Sequence, residues 1–103
     1  MSLAHVEGKT MQPPPVVYLR GEIDIFSAPT TCRALDLIEG PAVIDLSGVR
    51  LLAAAGLSEL ARVARRVGPA TVTLAGARPD VRRVLEIARF EALFVIPEDG
   101  NTR

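Results

Sequence analysis

Hydrophobic and polar positions along the chain change period several times, and each change marks an element. Val16-Val17-Tyr18-Leu19 is a β-branched and aromatic run of strand type. Gly21-Glu22-Ile23-Asp24 follows as a turn or an extension of that strand. Ser27-Ala28-Pro29 opens a helix, since serine suits a cap and proline is tolerated in the first turn. Cys32, Leu35 and Ile38 then recur at helical spacing until Gly40-Pro41 stops the element. Ala42-Val43-Ile44-Asp45-Leu46 is a short apolar run between breakers, the pattern of a buried strand.

Leu57, Leu60, Ala61, Ala64 and Val67 next form one face of a helix, with Ser58, Glu59, Arg62, Arg65 and Arg66 on the other. After Gly68-Pro69 comes a strand over Thr71 to Ala75. A third helix starts at Pro79-Asp80, with Val81, Val84, Leu85 and Ala88 inward and Arg82, Arg83, Glu86 and Arg89 outward. Leu93-Phe94-Val95-Ile96 reads as a last strand. Residues 1–15, ending in three prolines, form a leader with at most a short edge strand over Leu3 to Val6. Residues 16–97 form one domain, and residues 98–103 a polar tail. Strands alternating with helices predict an α/β fold with a mixed or largely parallel sheet.

Composition narrows the function. The 103 residues carry twelve basic and twelve acidic side chains, so the formal net charge is zero. That balance argues against a nucleic-acid or membrane-surface binder, which carries a basic excess. His5 is the sole histidine and lies in the leader, and nothing in the sequence holds it against a distant serine as a triad would need. Carboxylates do not cluster as in a calcium loop, and no glycine-rich phosphate loop occurs. The expectation is a protein that is not an enzyme and holds no cofactor or metal. With one cysteine, no apolar run long enough for a bilayer and no secretory layout, the chain reads as cytoplasmic.

Several separated motifs then fall in a known order. Gly21-Glu22-Ile23-Asp24, Ala28-Pro29, Asp45-Leu46-Ser47, Gly56-Leu57, Val84-Leu85-Glu86-Ile87 and Leu93-Phe94 together resemble the STAS domain family. That family includes the bacterial anti-sigma factor antagonists and the STAS domains of sulfate transporters. The resemblance spans Val16 to Ile96. It implies a four- to five-stranded mixed sheet with helices packed mainly on one side. In the antagonists the loop after the third strand reads Asp-Ser-Ser-Gly-Leu, and a partner that is both anti-sigma factor and serine kinase phosphorylates its second serine. The matching residues here are Ala53-Ala54-Ala55-Gly56-Leu57, so Ala55 stands at the phosphoacceptor position and Ala53 replaces the acid. A methyl group cannot accept a phosphoryl group.

The resemblance therefore implies an antagonist in a partner-switching circuit that the usual phosphorylation cannot inactivate. Its partner contact would comprise Asp24, Leu51, Ala53, Ala54, Ala55, Gly56, Leu57, Ser58 and Arg62. Leu52 is expected to be buried beneath that loop. Asp24 matches the family acid beside the loop, and reads equally as a turn carboxylate bonding local amides. Ser58, Ser47, Thr30 and Thr31 are the other hydroxyls that could take a phosphate; their plainer roles are solvated or turn positions, and that of Ser27 is a cap. Cys32 reads as an inert residue on the inward face of the first helix, and Phe26, Phe90 and Phe94 as core or rim fillers. Arg62, Arg65 and Arg66 form a solvated face or, with Arg50, meet an acidic partner. The rival reading is an adaptor STAS subunit that dimerises or docks on an ABC-transporter ATPase; a paralogue that keeps only the fold is a third.

Overall fold

The computed structural model describes residues 13–97. Three strands, β1 (Val16–Ile23), β2 (Ala42–Leu52) and β3 (Val72–Ala75), lie side by side in chain order and are all parallel. Parallel neighbours require a crossover. Helix α1 (Ala28–Leu35) joins β1 to β2, and α2 (Ala54–Val67) joins β2 to β3. Helix α3 (Pro79–Ile87) and a 3-10 turn (Phe90–Ala92) follow β3.

The sheet therefore departs from the expected four to five mixed strands. Leu93 to Ile96 makes a single parallel bridge, Val95 to Thr73, rather than a strand. The 3-10 turn runs directly into it, with the Leu93 amide bonded to the Phe90 carbonyl, and Pro97 follows at once. The possible edge strand over Leu3 to Val6, and the tail from Glu98, lie outside the described residues.

One face of the sheet is covered. Leu19 and Ile23 of β1, Ala42, Ile44 and Leu46 of β2, and Val72 and Leu74 of β3 are buried against Leu35, Leu60, Val63, Val81 and Leu85 of the helices. Complete burial of a leucine or isoleucine contributes about 1.5–3 kcal/mol, so this single apolar layer carries the fold. The alternate side chains on the three strands face away from the helices.

Strand β2 runs six residues past the Leu46 at which its alternation stops. Tyr18 pairs with Asp45 but Arg20 with Gly48, and Gly21 pairs with Val49 but Glu22 with Leu51. At each shift β2 inserts one more residue than β1, a β-bulge. The bulges return Val49 and Leu52 to the core face at intervals of three, which hides the strand from a period-two reading. At the first bulge Asp45 Oδ1 accepts the Ser47 amide at 2.9 Å and its hydroxyl at 2.6 Å.

Other assignments shift. Helix α1 ends at Leu35, although Ile38 remains buried. Val63 joins the inward face of α2. Phe90 and Phe94 are buried and stacked, with centroids 5.8 Å apart, whereas Phe26 is not a filler at all. Cys32 is only half-buried, because it lies on the seam between α1 and α2 rather than over the sheet. Its thiol donates to Asp36 and accepts from the Arg62 guanidinium.

Arg66 is no purely solvated residue either. Its guanidinium donates to the Ile38 carbonyl at 2.6 Å and the Leu35 carbonyl at 3.0 Å, satisfying acceptors at the carboxyl end of α1. Replacing Arg66 with methionine keeps the stem and removes both charged bonds. It is expected to cost about 1–3 kcal/mol in urea unfolding, with lysine recovering only part. An unchanged midpoint for the methionine variant would show that water satisfies these carbonyls equally well.

Candidate functional site

Strands β1 and β2 end together: Glu22 pairs with Leu51, and Ile23 with Leu52. The Ala53 amide then donates to the Ile23 carbonyl at 2.9 Å, tying the start of α2 to the end of β1. One residue, Ala53, separates β2 from α2, so the expected loop is in fact a strand end followed immediately by a helical turn. Leu51 is exposed and Leu52 buried, because the second bulge returns Leu52 to the core face.

Ala53 occupies the helix cap in extended conformation, with no side chain to accept an amide, and the first turn contains no acid. Ala53 and Ala55 are half-buried, Ala54 and Ser58 exposed, and Leu57 half-buried against the core. Gly56 is buried here. A Cβ at that position would lie 2.7 Å from both Ile23 Cγ2 and Leu52 Cδ1, and 3.1 Å from the Ile23 carbonyl oxygen. Only glycine lets α2 approach the strand ends this closely. The resulting surface is small, apolar and uncharged.

On the β1 side the chain turns sharply. Asp24 Oδ1 accepts the amides of Phe26 and Ser27, each at 3.0 Å. The Ser27 hydroxyl donates to the Glu22 carbonyl at 2.8 Å and accepts the Asp24 amide at 3.0 Å. Ser27 thus fastens the turn and does not cap α1, whose first turn is left without a side-chain acceptor. Asp24 performs the local bonding of a turn carboxylate. The turn holds Ile25 and Phe26 at its tip, 71% and 89% exposed.

These two residues were not among the sequence candidates. The usable signal was Asp24 three positions before Ser27, two turn formers with an apolar pair between them. Asp24, Leu51 and Ala53 to Leu57 are accordingly brought to one edge of the sheet, with Ile25 and Phe26 added. Ser58 begins the next turn of α2. Arg62 points along the helix seam, bonding Glu59 at 2.7 Å and lying 3.6 Å from Asp36. Those carboxylates partly neutralise the charge that a partner would meet.

The alternative hydroxyls separate by burial. Thr31 is buried, Thr30 is exposed on α1, and Ser47 lies at the β2 bulge, on a different part of the surface. The Cys32 thiol sits above its ordinary pKa, chiefly because its surroundings disfavour the thiolate; Arg62 opposes this, while Asp36 and Glu59 add to it. Cys32 is therefore expected to react with iodoacetamide at pH 7 more slowly than a free thiol, accelerating as pH rises through the elevated value. Equal rates at pH 7 would contradict that assignment.

Among the described residues no group of three or more His, Cys, Asp or Glu is placed to hold a metal. No described helix is long and apolar enough to cross a membrane. Of the two grooves that border the edge, the one between β1 and α1 encloses about 200 Å³ and includes Leu19, Ile23, Thr30 and Thr31, and the one beside Leu51 and Leu52 encloses about 220 Å³. Both are below the roughly 300–1,000 Å³ of a typical small-molecule site. A family model described as "Mlab, STAS domain" matches residues 9–97. No curated protein matches the chain.

Proposed function

The chain belongs to the STAS domain family, and we propose that it is a protein-interaction module of the anti-sigma factor antagonist type, with no catalytic activity of its own. Its docking surface is the edge where β1 and β2 end, comprising Ile25, Phe26, Leu51 and the first turn of α2. One observation carries this reading: a turn braced by Asp24 and Ser27 holds two large apolar side chains in solvent beside a first helical turn without charge or hydroxyl. Exposed aromatic side chains on a rigid base are what a protein partner recognises.

The same edge explains why docking would be constitutive. Phosphorylation acts by adding negative charge and acceptor oxygens to a hydroxyl. Ala53, Ala54 and Ala55 have none, so a kinase has nothing to modify in that turn. A partner bound there would be retained whether or not ATP is present.

Affinity capture from the source-cell lysate, with and without ATP and Mg²⁺, tests this reading. Recovery of an anti-sigma factor in equal amount under both conditions supports it. ATP-dependent release, or recovery of a transporter ATPase in its place, overturns it, the latter in favour of the adaptor reading. The double variant Ala53→Asp, Ala55→Ser is expected to gain kinase-dependent release. Persistent binding of a demonstrably phosphorylated double variant would show that charge in this turn does not control docking.

A further inference from the structure

The sheet face turned away from the helices carries an ordered row. Val16 pairs with Val43, Val43 with Thr73, and Thr73 with Val95, so four β-branched residues lie in register across its whole width. Val16 and Val95 are exposed, Val43 and Thr73 half-buried, and Tyr18, one step along β1, is 67% exposed. No described element covers this face. Parallel sheets are nearly always covered on both sides, because their strands leave apolar side chains on each.

We infer that this face is a self-association surface and that its occupant is a second copy of the chain, packed sheet to sheet about a two-fold axis. Charge favours that occupant. Beside the apolar row stand Arg20 on one hand and Asp45 and Glu22 on the other, all on the same face. A two-fold contact allows each Arg20 to meet a carboxylate of the other copy, and the chain's zero net charge adds no overall repulsion. A strongly acidic or basic partner would leave one sign unmatched.

Area sets the strength. Chains about 4.8 Å apart, with a rise of about 3.3 Å per residue, give β1, β2 and the shorter β3 a face of roughly 400 Å² per copy. The roughly 800 Å² buried in total lies below the range of stable specific interfaces, so the dimer is weak, transient and concentration-dependent. The row lies where the strands begin, whereas the docking edge lies where β1 and β2 end. A sheet-to-sheet dimer therefore leaves Ile25, Phe26 and the first turn of α2 free on each copy, with Leu51, which pairs with Glu22, at the border of the contact, and makes the module bivalent. The inference stands apart from the proposed partner.

Sedimentation equilibrium of the full chain, from about 10 µM to about 1 mM, tests it. The weight-average mass is expected to climb from the 11.0 kDa of one chain towards twice that value. Tyr18→Glu and Val95→Lys should hold it at the single-chain mass while circular dichroism remains unchanged. Arg20→Glu should weaken association at least tenfold, and adding Glu22→Arg should restore it. Tyr18 is the sole tyrosine in a chain without tryptophan, so its fluorescence should become less quenchable by acrylamide as concentration rises. A constant single-chain mass up to the highest concentration overturns the inference. So does a dimer indifferent to both Tyr18→Glu and Val95→Lys, whose contact would then lie elsewhere.

Discussion

Replacing Gly56 with alanine is expected to lower the unfolding free energy by about 2 kcal/mol, although alanine is the better helix former by about 1 kcal/mol. The added methyl would need space already held by Ile23 Cγ2 and Leu52 Cδ1, 2.7 Å away, and by the Ile23 carbonyl at 3.1 Å. Leucine 52 can swing its methyl, but the backbone carbonyl cannot yield without disturbing its bond from the Ala53 amide. Valine at this position should be worse by a further 1–3 kcal/mol. Urea midpoints check both, with Gly40→Ala as the control, because a Cβ at Gly40 meets nothing within 4 Å. Equal midpoints for Gly56→Ala and the control would show that α2 is not held tightly against the strand ends. The docking edge would then lose its rigid base.

Phe26→Ala is expected to leave stability unchanged and to weaken partner binding at least tenfold. At 89% exposure the ring gives almost nothing to the fold. Interface anchors of this kind carry about 2 kcal/mol or more, which is roughly thirtyfold in affinity. Phe90→Ala makes the opposite case: that ring is buried and stacked on Phe94, and its loss should cost about 3–5 kcal/mol of stability. Paired urea and titration measurements separate the two. A Phe26→Ala variant that binds with unchanged affinity would remove the β1–α1 turn from the interface.

Much of this architecture was legible in the sequence, because the alternation of β-branched runs with helical spacing is strong and breakers such as Gly40-Pro41 and Gly68-Pro69 bound it. The STAS resemblance located the edge formed by Asp24 and Ala53 to Leu57. Four features escaped for physical reasons. The bulges in β2 change its period from two to three, so Val49 looks like a loop residue, and Leu52, although expected to be buried, looks like part of a loop rather than of the strand. Arg66 lies on the polar side of α2, and only the tertiary arrangement brings the carboxyl end of α1 within its reach. Phe26 is apolar and near a helix start, which composition alone assigns to the interior; the Asp24–Ser27 turn reverses that outcome. Leu93 to Ile96 has strand composition, but the preceding 3-10 turn and Pro97 leave it only one bridge.

The central claim is that a partner docks on the Ile25–Phe26 edge without regard to phosphorylation. Site-specific photo-crosslinking addresses it most directly. A benzophenone side chain replacing Phe26 is compared with one replacing Leu37, which is 79% exposed on the turn after α1. In cell lysate with ATP and Mg²⁺, the account predicts a crosslinked protein at Phe26, equally abundant without ATP, and none at Leu37. Crosslinking at Leu37 alone, or loss of the Phe26 product on adding ATP, would contradict it.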